Sequence, residues 1–273
     1  MADPALPEYD NQLSAFHRAF EPELRAVIGR LPLEPNMRVL DLACGDGFYT
    51  TRIAERLGRG GSVVAVDVDP AYLEAAREQT RRYTGDASIE LVAASFDGLP
   101  FDDATFDFIW CAQSLYSLPD PVLVLEHLKR VVRPGGLIAV LENDTLHQVF
   151  LPWPVDLELP LRAAELEALS REETNPSKFY VGRRLPSVFA TAGLEPLAMT
   201  TIAIDRQAPL RDVEHELLQS YLEAVVERVT PHHAPRLLST LKQLADRTSP
   251  QRLLAQPHLT MTWLNVLAVA RRR

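Results

Sequence analysis

Through its first half the chain alternates short, almost continuous apolar runs with amphipathic stretches. The apolar runs cover residues 38–43, 62–67, 89–93, 106–112 and 137–142. Runs this unbroken predict strands buried on both faces rather than strands with one wet side. Between them, residues 49–57, 71–82 and 121–132 carry apolar positions at helical spacing. The last of these ends at Pro134-Gly135-Gly136, which predicts a helix stop and a turn. Strand–helix alternation of this kind implies a parallel sheet with helices on both faces. After Glu142 the pattern changes. Residues 145–182 and 208–256 read as mostly helical and are interrupted by prolines. Strand-like stretches at 194–205 and 258–271 flank the second of these and complete the sheet as sixth and seventh strands. The expected fold is therefore α/β: a Rossmann-like, seven-stranded, mostly parallel sheet with helical lid insertions over the strand C-termini, where open α/β sheets bind ligands. In domain terms, residues 1–142 form a binding core with an N-terminal helical segment and 143–182 a lid insertion. Residues 183–207 return to the core, 208–256 form a second helical lid and 257–273 the last core strand.

Composition narrows the function classes. The formal net charge is −9, and the one basic run is Arg271-Arg272-Arg273, so a nucleic-acid partner is not expected. No apolar run reaches the length of a membrane span. The N-terminus, Met1-Ala2-Asp3-Pro4, has neither the charged nor the apolar segment of a signal peptide. Cys44 and Cys111 are the only cysteines, too few for a disulfide framework or a thiolate metal cluster. A cytoplasmic protein without a metal and without a membrane partner is expected; the oligomeric state is left open.

The strongest local signal is Val39-Leu40-Asp41-Leu42-Ala43-Cys44-Gly45-Asp46-Gly47-Phe48, a strand that runs through a glycine-bearing turn into a helix. Glycine belongs where backbone must approach a ligand closely or adopt positive φ. Asp67 ends the following strand about twenty residues on, the position of a carboxylate that binds ribose hydroxyls. The spacing does not give G-x-G-x-x-G, so the pattern favours S-adenosylmethionine (SAM) over a dinucleotide.

On these motifs residues 38–142 resemble the core of class I SAM-dependent methyltransferases. Leu99-Pro100-Phe101 followed by Phe106-Asp107-Phe108 resembles the family's third and fourth motifs. The resemblance implies that Asp41, Ala43, Gly45 and Gly47 surround the methionine part of SAM. It also implies that Asp67 holds the ribose and that Val68 lies against adenine. Where the family has an acid facing the adenine amino group, this chain has Ser95, followed by Phe96. Cys111 and Gln113 fall at the fourth-strand end, near the cofactor's amino group in such folds.

Methyl transfer is a displacement at a carbon already activated by sulfonium, so proximity and alignment are the main requirement. Candidate groups lie at strand ends. Glu142, Asn143 and Asp144 end the fifth strand and either reach the site mouth or cap the strand. His147 is a candidate base. Tyr116 and Ser117 follow the fourth strand as candidate substrate contacts. Phe150, Trp153, Phe179 and Tyr180 crowd the first insertion and either face the sulfonium or form a lid core. Tyr9, Phe16 and His17 belong to an N-terminal helical segment that closes over the cofactor. His232-His233 has no companion ligands and reads as surface. Large helical insertions suit a compact, largely apolar small-molecule acceptor. A second reading is that the enzyme cyclises SAM itself to azetidine-2-carboxylate and methylthioadenosine. Asn143 with Tyr180 beside an aromatic lid is similar to what such cyclases present. A non-catalytic SAM-binding module is the third.

Overall fold

The apolar runs become strands of one sheet in a computed structural model that describes residues 10–172, 175–230 and 235–273. The strands are β1 (Arg38–Leu42), β2 (Ser62–Asp67), β3 (Ser88–Ala93), β4 (Phe106–Ala112), β5 (Val132–Glu142), β6 (Val149–Phe150), β7 (Glu195–Gln207) and β8 (Thr260–Arg271). β3, β2, β1, β4 and β5 lie side by side and parallel. β8 runs antiparallel to β5 and the short β6 on one side and to β7 on the other. Reversal between β2-side and β4-side crossovers leaves a crevice above the C-terminal end of β1, the place such sheets offer a ligand.

The helices are α1 (Asp10–Arg30), α2 (Phe48–Leu57), α3 (Pro70–Arg81), α4 (Pro121–Val131), α5 (Val155–Glu172), α6 (Val181–Thr191), α7 (Asp212–Val229) and α8 (Pro235–Ala245). Two of them start on the same device. Asp69 and Asp120 each accept an N–H two residues on, from Ala71 and Val122, both at 2.8 Å, and each is followed by proline at the first helical position. The sheet divides the core in two. Phe108 and Trp110 of β4 pack on one face with residues of α1, α2 and α7, while Ile109 and Cys111 pack on the other with α4 and α6. This two-residue alternation is hidden in the sequence, because both faces are apolar.

Three differences from the sequence expectation have local causes. Pro134–Gly136 does not turn out of the sheet. β5 begins at Val132, and its register against β4 shifts between Phe106 and Phe108, so the proline and the glycines form a ladder irregularity. Val149–Phe150 adds a short strand that two residues could not announce. The insertions also divide their labour. In the second, α7 is fastened to α1: Arg211 at the start of α7 donates to the Ala19 carbonyl at 2.6 Å, and Arg18 pairs with Glu216 at 2.9 Å; Arg206 of β7 adds a bond to the same carbonyl at 3.4 Å. In the first, α5 packs against α7 and α8. Among the described residues no helix is long and apolar enough to cross a membrane.

Candidate functional site

A cavity of about 470 Å³ opens at the crevice above β1. Its floor is the ends of β1, β2, β4 and β5, and its roof is α1 and α7. That volume is within the range of pockets that enclose a cofactor or a small ligand.

The β1–α2 turn forms one wall. Gly45 sits at φ +53°, and the space a β-carbon would take is 3.5 Å from Leu13 Cδ2 of α1, so the helix lies directly on the turn. Ala43 and Gln113 end β1 and β4 with φ of +54° and +52°, a conformation that disfavours side chains. Both line the cavity, and two non-glycine residues held in this region at one site are a mark of a functional surface. Asp67 ties the turns together: its Oδ2 accepts the Gly45 N–H at 2.9 Å and its Oδ1 accepts the Asp69 N–H at 3.0 Å. It is nearly buried yet lines the cavity, beside the largely exposed Val68.

Three acids meet here. Burial is the main force that pushes the Asp41 carboxyl up to about 7; the Thr50 hydroxyl, donating at 2.6 Å, opposes this, and the charges of Asp67 and Asp46 add to it. Burial also raises Asp46, but His17, the Phe48 N–H and Arg52 overcome it and hold that carboxyl below its ordinary value. His17 Nδ1 lies 3.4 Å from Asp46 Oδ2, and its ring stacks on Phe48 at 4.1 Å. Acids gathered around a glycine turn suit a cationic ligand.

The fit to the cofactor suggested by the resemblance can be tested on buried polar atoms of the lining. His17 Nε2, Tyr49 Oη and Gln113 Oε1 are buried and have no hydrogen-bond partner among the described residues. Such atoms call for a ligand or water. With a carboxylate at the β2 end, a close-approach glycine and an acidic surround, the residues fit SAM.

Of the residues expected from sequence, Phe16, His17, Ala43, Gly45, Asp67, Val68, Gln113, Tyr116, Ser117 and Asn143 line this cavity together. The others are placed elsewhere. Asp41 lies beneath the turn on Thr50. Gly47 is buried, and a β-carbon there would come within 3.1 Å of Ala76 on α3, so its task is helix packing. Gly47→Ala is accordingly expected to destabilise the fold by about 1–2 kcal/mol through the left-handed backbone alone; an unchanged urea midpoint would refute this packing role. Cys111 is fully buried on the opposite face of the sheet, and burial raises its thiol. Ser95 and Phe96 lie outside the cavity wall; Ser95 bonds Asp97, and Phe96 meets His127 edge-on at 5.7 Å.

His147 and Tyr180 face each other at 5.9 Å, with the Arg183 guanidinium 5.1 Å from the Tyr180 ring centroid. Neither lines the cavity, and neither do Phe150, Trp153 or Phe179. The Asn143–Tyr180 pairing behind the cyclising reading is therefore not assembled on the cavity wall. Glu142 is completely buried and accepts the N–H groups of Ser114 and Leu115 at 2.7 and 2.6 Å, so it braces the loop after β4 and does not reach the mouth. Asp144 is held by Arg183. Tyr9, His232 and His233 lie outside the described residues. Among the described residues no cluster of metal-ligating side chains occurs.

Besides Tyr116, the aromatic wall comes from other elements: Phe16, Tyr49, Tyr72, Tyr221 and Trp263. Sequence reasoning missed all but Phe16, and it missed Arg228. One signal was present. Tyr221, Ala224, Val225 and Arg228 are spaced i, i+3, i+4, i+7, a single helix face, and all four line the cavity.

Comparison with known proteins identifies the family. A family model described as a methyltransferase domain matches residues 33–188. A demethylmenaquinone methyltransferase of Lysinibacillus sphaericus is 27% identical over 60% of this chain and 73% of its own length. A ubiquinone/menaquinone biosynthesis C-methyltransferase of Idiomarina loihiensis is 35% identical over 52% of this chain and 59% of its own. The solved structure of a SAM-dependent methyltransferase from Aquifex aeolicus shares the fold at a TM-score of 0.54 and 22% identity, covering 72% of this chain and 93% of its own.

Proposed function

This chain belongs to the methyltransferase-domain family, and from that membership we propose that it methylates a small-molecule acceptor held between the end of the sheet and α7. The observation that carries the proposal is the continuity of one cavity from Asp67 and Gly45 to the α7 face. When bound, SAM supplies a methyl group on a cationic sulfur and is left as S-adenosylhomocysteine. Asp67 is placed to accept the ribose hydroxyls, Val68 to border the adenine, and the turn at Ala43–Gly45 to admit the methionine part. His17 and Leu13 of α1 cover that turn and exclude water, which favours a displacement that requires alignment more than acid–base help. Asn143, fixed at the end of β5, and Tyr116 contribute an amide and a phenol to the wall for orienting an acceptor.

The family match ends at residue 188, before α7 begins at Asp212. The acceptor class is thus better read from the α7 wall than from the quinone names of the relatives.

The test is product analysis. With SAM and a panel of small acceptors, S-adenosylhomocysteine is expected only when an acceptor is present. Methylthioadenosine formed from SAM alone would replace this reading with the cyclising one.

A further inference from the structure

Resting on the methyltransferase reading, we infer that the acceptor is a small apolar molecule bearing one carboxylate, and that Arg228 binds that carboxylate. The fixed charges of the cavity wall are separated. Asp67 ends β2, and the opposite end is walled by Trp263 of β8 and the α7 face that carries Arg228. β2 and β8 are four strands apart in the order β2-β1-β4-β5-β8, which is about 19 Å at ordinary strand spacing. Charges at opposite ends of the cavity serve two different parts of the bound molecules.

The positive end has a surplus charge. Glu165, on α5, is completely buried and accepts from Arg162 at 2.8 Å and from Arg228 at 2.9 Å. Arg162 is held further by Tyr221 Oη at 3.2 Å and the Val149 carbonyl at 3.4 Å. Two guanidiniums therefore share one carboxylate, and among the described residues no second acid pairs with either of them. Arg162 takes Oε2 and by itself balances the charge of Glu165, while Arg228 takes Oε1, so the pair of guanidiniums leaves one positive charge over. Arg228 retains about a quarter of its side-chain exposure (27%) and makes one hydrogen bond among the described residues, which leaves guanidinium N–H groups for a ligand.

The surroundings define the rest of that ligand. Phe16, Val225 and Trp263 make this part of the wall apolar, with the Phe16 and Trp263 rings 5.4 Å apart. In a chain of net charge −9, a cation kept in an apolar, half-buried place is unusual and is stabilised by an anion. One surplus positive charge matches a carboxylate better than a doubly charged phosphate, and a planar guanidinium receives a carboxylate through paired N–H groups.

The test uses the full chain saturated with S-adenosylhomocysteine. Calorimetric titration compares benzoate, salicylate and 3-hydroxy-2-naphthoate with neutral benzamide, salicylamide and 2-naphthol. At least one acid is expected to bind about tenfold or more tightly than its neutral counterpart. Arg228→Met should abolish that preference and leave the affinity for S-adenosylhomocysteine unchanged, while Arg228→Lys should keep part of it. Glu165 retains Arg162 in both variants, and a melting curve verifies folding. Equal binding of acids and neutral counterparts, no binding of either up to about 10 mM, or a preference that survives Arg228→Met overturns the proposal. Loss of S-adenosylhomocysteine affinity in a folded Arg228→Met also overturns it, because the guanidinium would then serve the cofactor's own carboxylate. Failure of the parent protein to bind S-adenosylhomocysteine is a different result: it removes the methyltransferase reading itself.

Discussion

Asp67→Ala is expected to lower the affinity for S-adenosylhomocysteine by about 10- to 150-fold, the worth of hydrogen bonds to a charged group. The carboxylate stands at the β2 end of the cavity and accepts two N–H groups, from Gly45 and Asp69, which fix the floor on which a cofactor would rest. Removal therefore acts twice. The ligand's hydroxyls lose an acceptor, and the turn N–H groups lose theirs. The second effect is expected to cost the fold about 1–3 kcal/mol. The turn is not left without support, because Cys44 N–H still donates to the Val66 carbonyl and Gly47 N–H to that of Cys44, both at 3.0 Å. A folded variant is expected. Titration calorimetry and urea unfolding on the same preparation separate the two effects. A folded Asp67→Ala protein that binds with parental affinity would exclude Asp67 from the site.

The ease with which the β1–β2 end of the cavity was read, and the difficulty of the α7 end, have a physical origin. Gly45 and Asp67 are read from sequence because a turn at the end of a parallel strand imposes its residue types locally: positive φ at one position, a carboxylate at the end of the next strand. Gly47 lies in the same motif, but its glycine is demanded by Ala76, a residue of α3 that only the folded structure brings near. Cys111 and Gln113 show the same limit. Both fall at the end of β4, yet one points into the opposite core and the other lines the cavity, and an apolar strand buried on both faces hides that parity.

The α7 end of the cavity depends on tertiary packing. Tyr180 and the aromatics around it drew attention because they crowd one insertion, whereas the rings that line the cavity come from α1, α2, α3, the loop after β4, α7 and β8. No local sequence rule links Phe16 to Trp263; the sheet and the α1–α7 contact do. The stripe Tyr221, Ala224, Val225, Arg228 was legible as one helix face. A basic residue at the end of an apolar stripe reads as a solvated tip until Glu165 and Arg162 are seen beside it.

Glu142 yields a large expected effect of pH on stability. Its carboxyl is pushed up to about 7, chiefly by complete burial, which outweighs the N–H groups of Leu115 and Ser114 that favour the charged form. In the unfolded chain the same group titrates at its ordinary value of 4.5. Between these two values the folded protein carries a proton that the unfolded chain has released. Stability from this group is therefore intact below 4.5 and declines as pH rises toward 7, by about 3 kcal/mol in total. Carboxylates held below their ordinary value, such as Asp46 with His17, work in the other direction and at lower pH. The contribution of Glu142 is best isolated as a difference between parent and Glu142→Gln. The amide oxygen can still accept from Ser114 and Leu115, but the side chain has no charge to bury. Urea unfolding at pH 5 should give nearly equal stabilities, and at pH 8.5 the variant should be the more stable, by up to about 3 kcal/mol. Glu142→Ala, which leaves both N–H groups without an acceptor, should be less stable than Glu142→Gln at either pH. Parallel stability–pH curves for parent and Glu142→Gln would show that the buried carboxyl does not titrate between 4.5 and 7, and that this account of the brace behind the cavity is wrong.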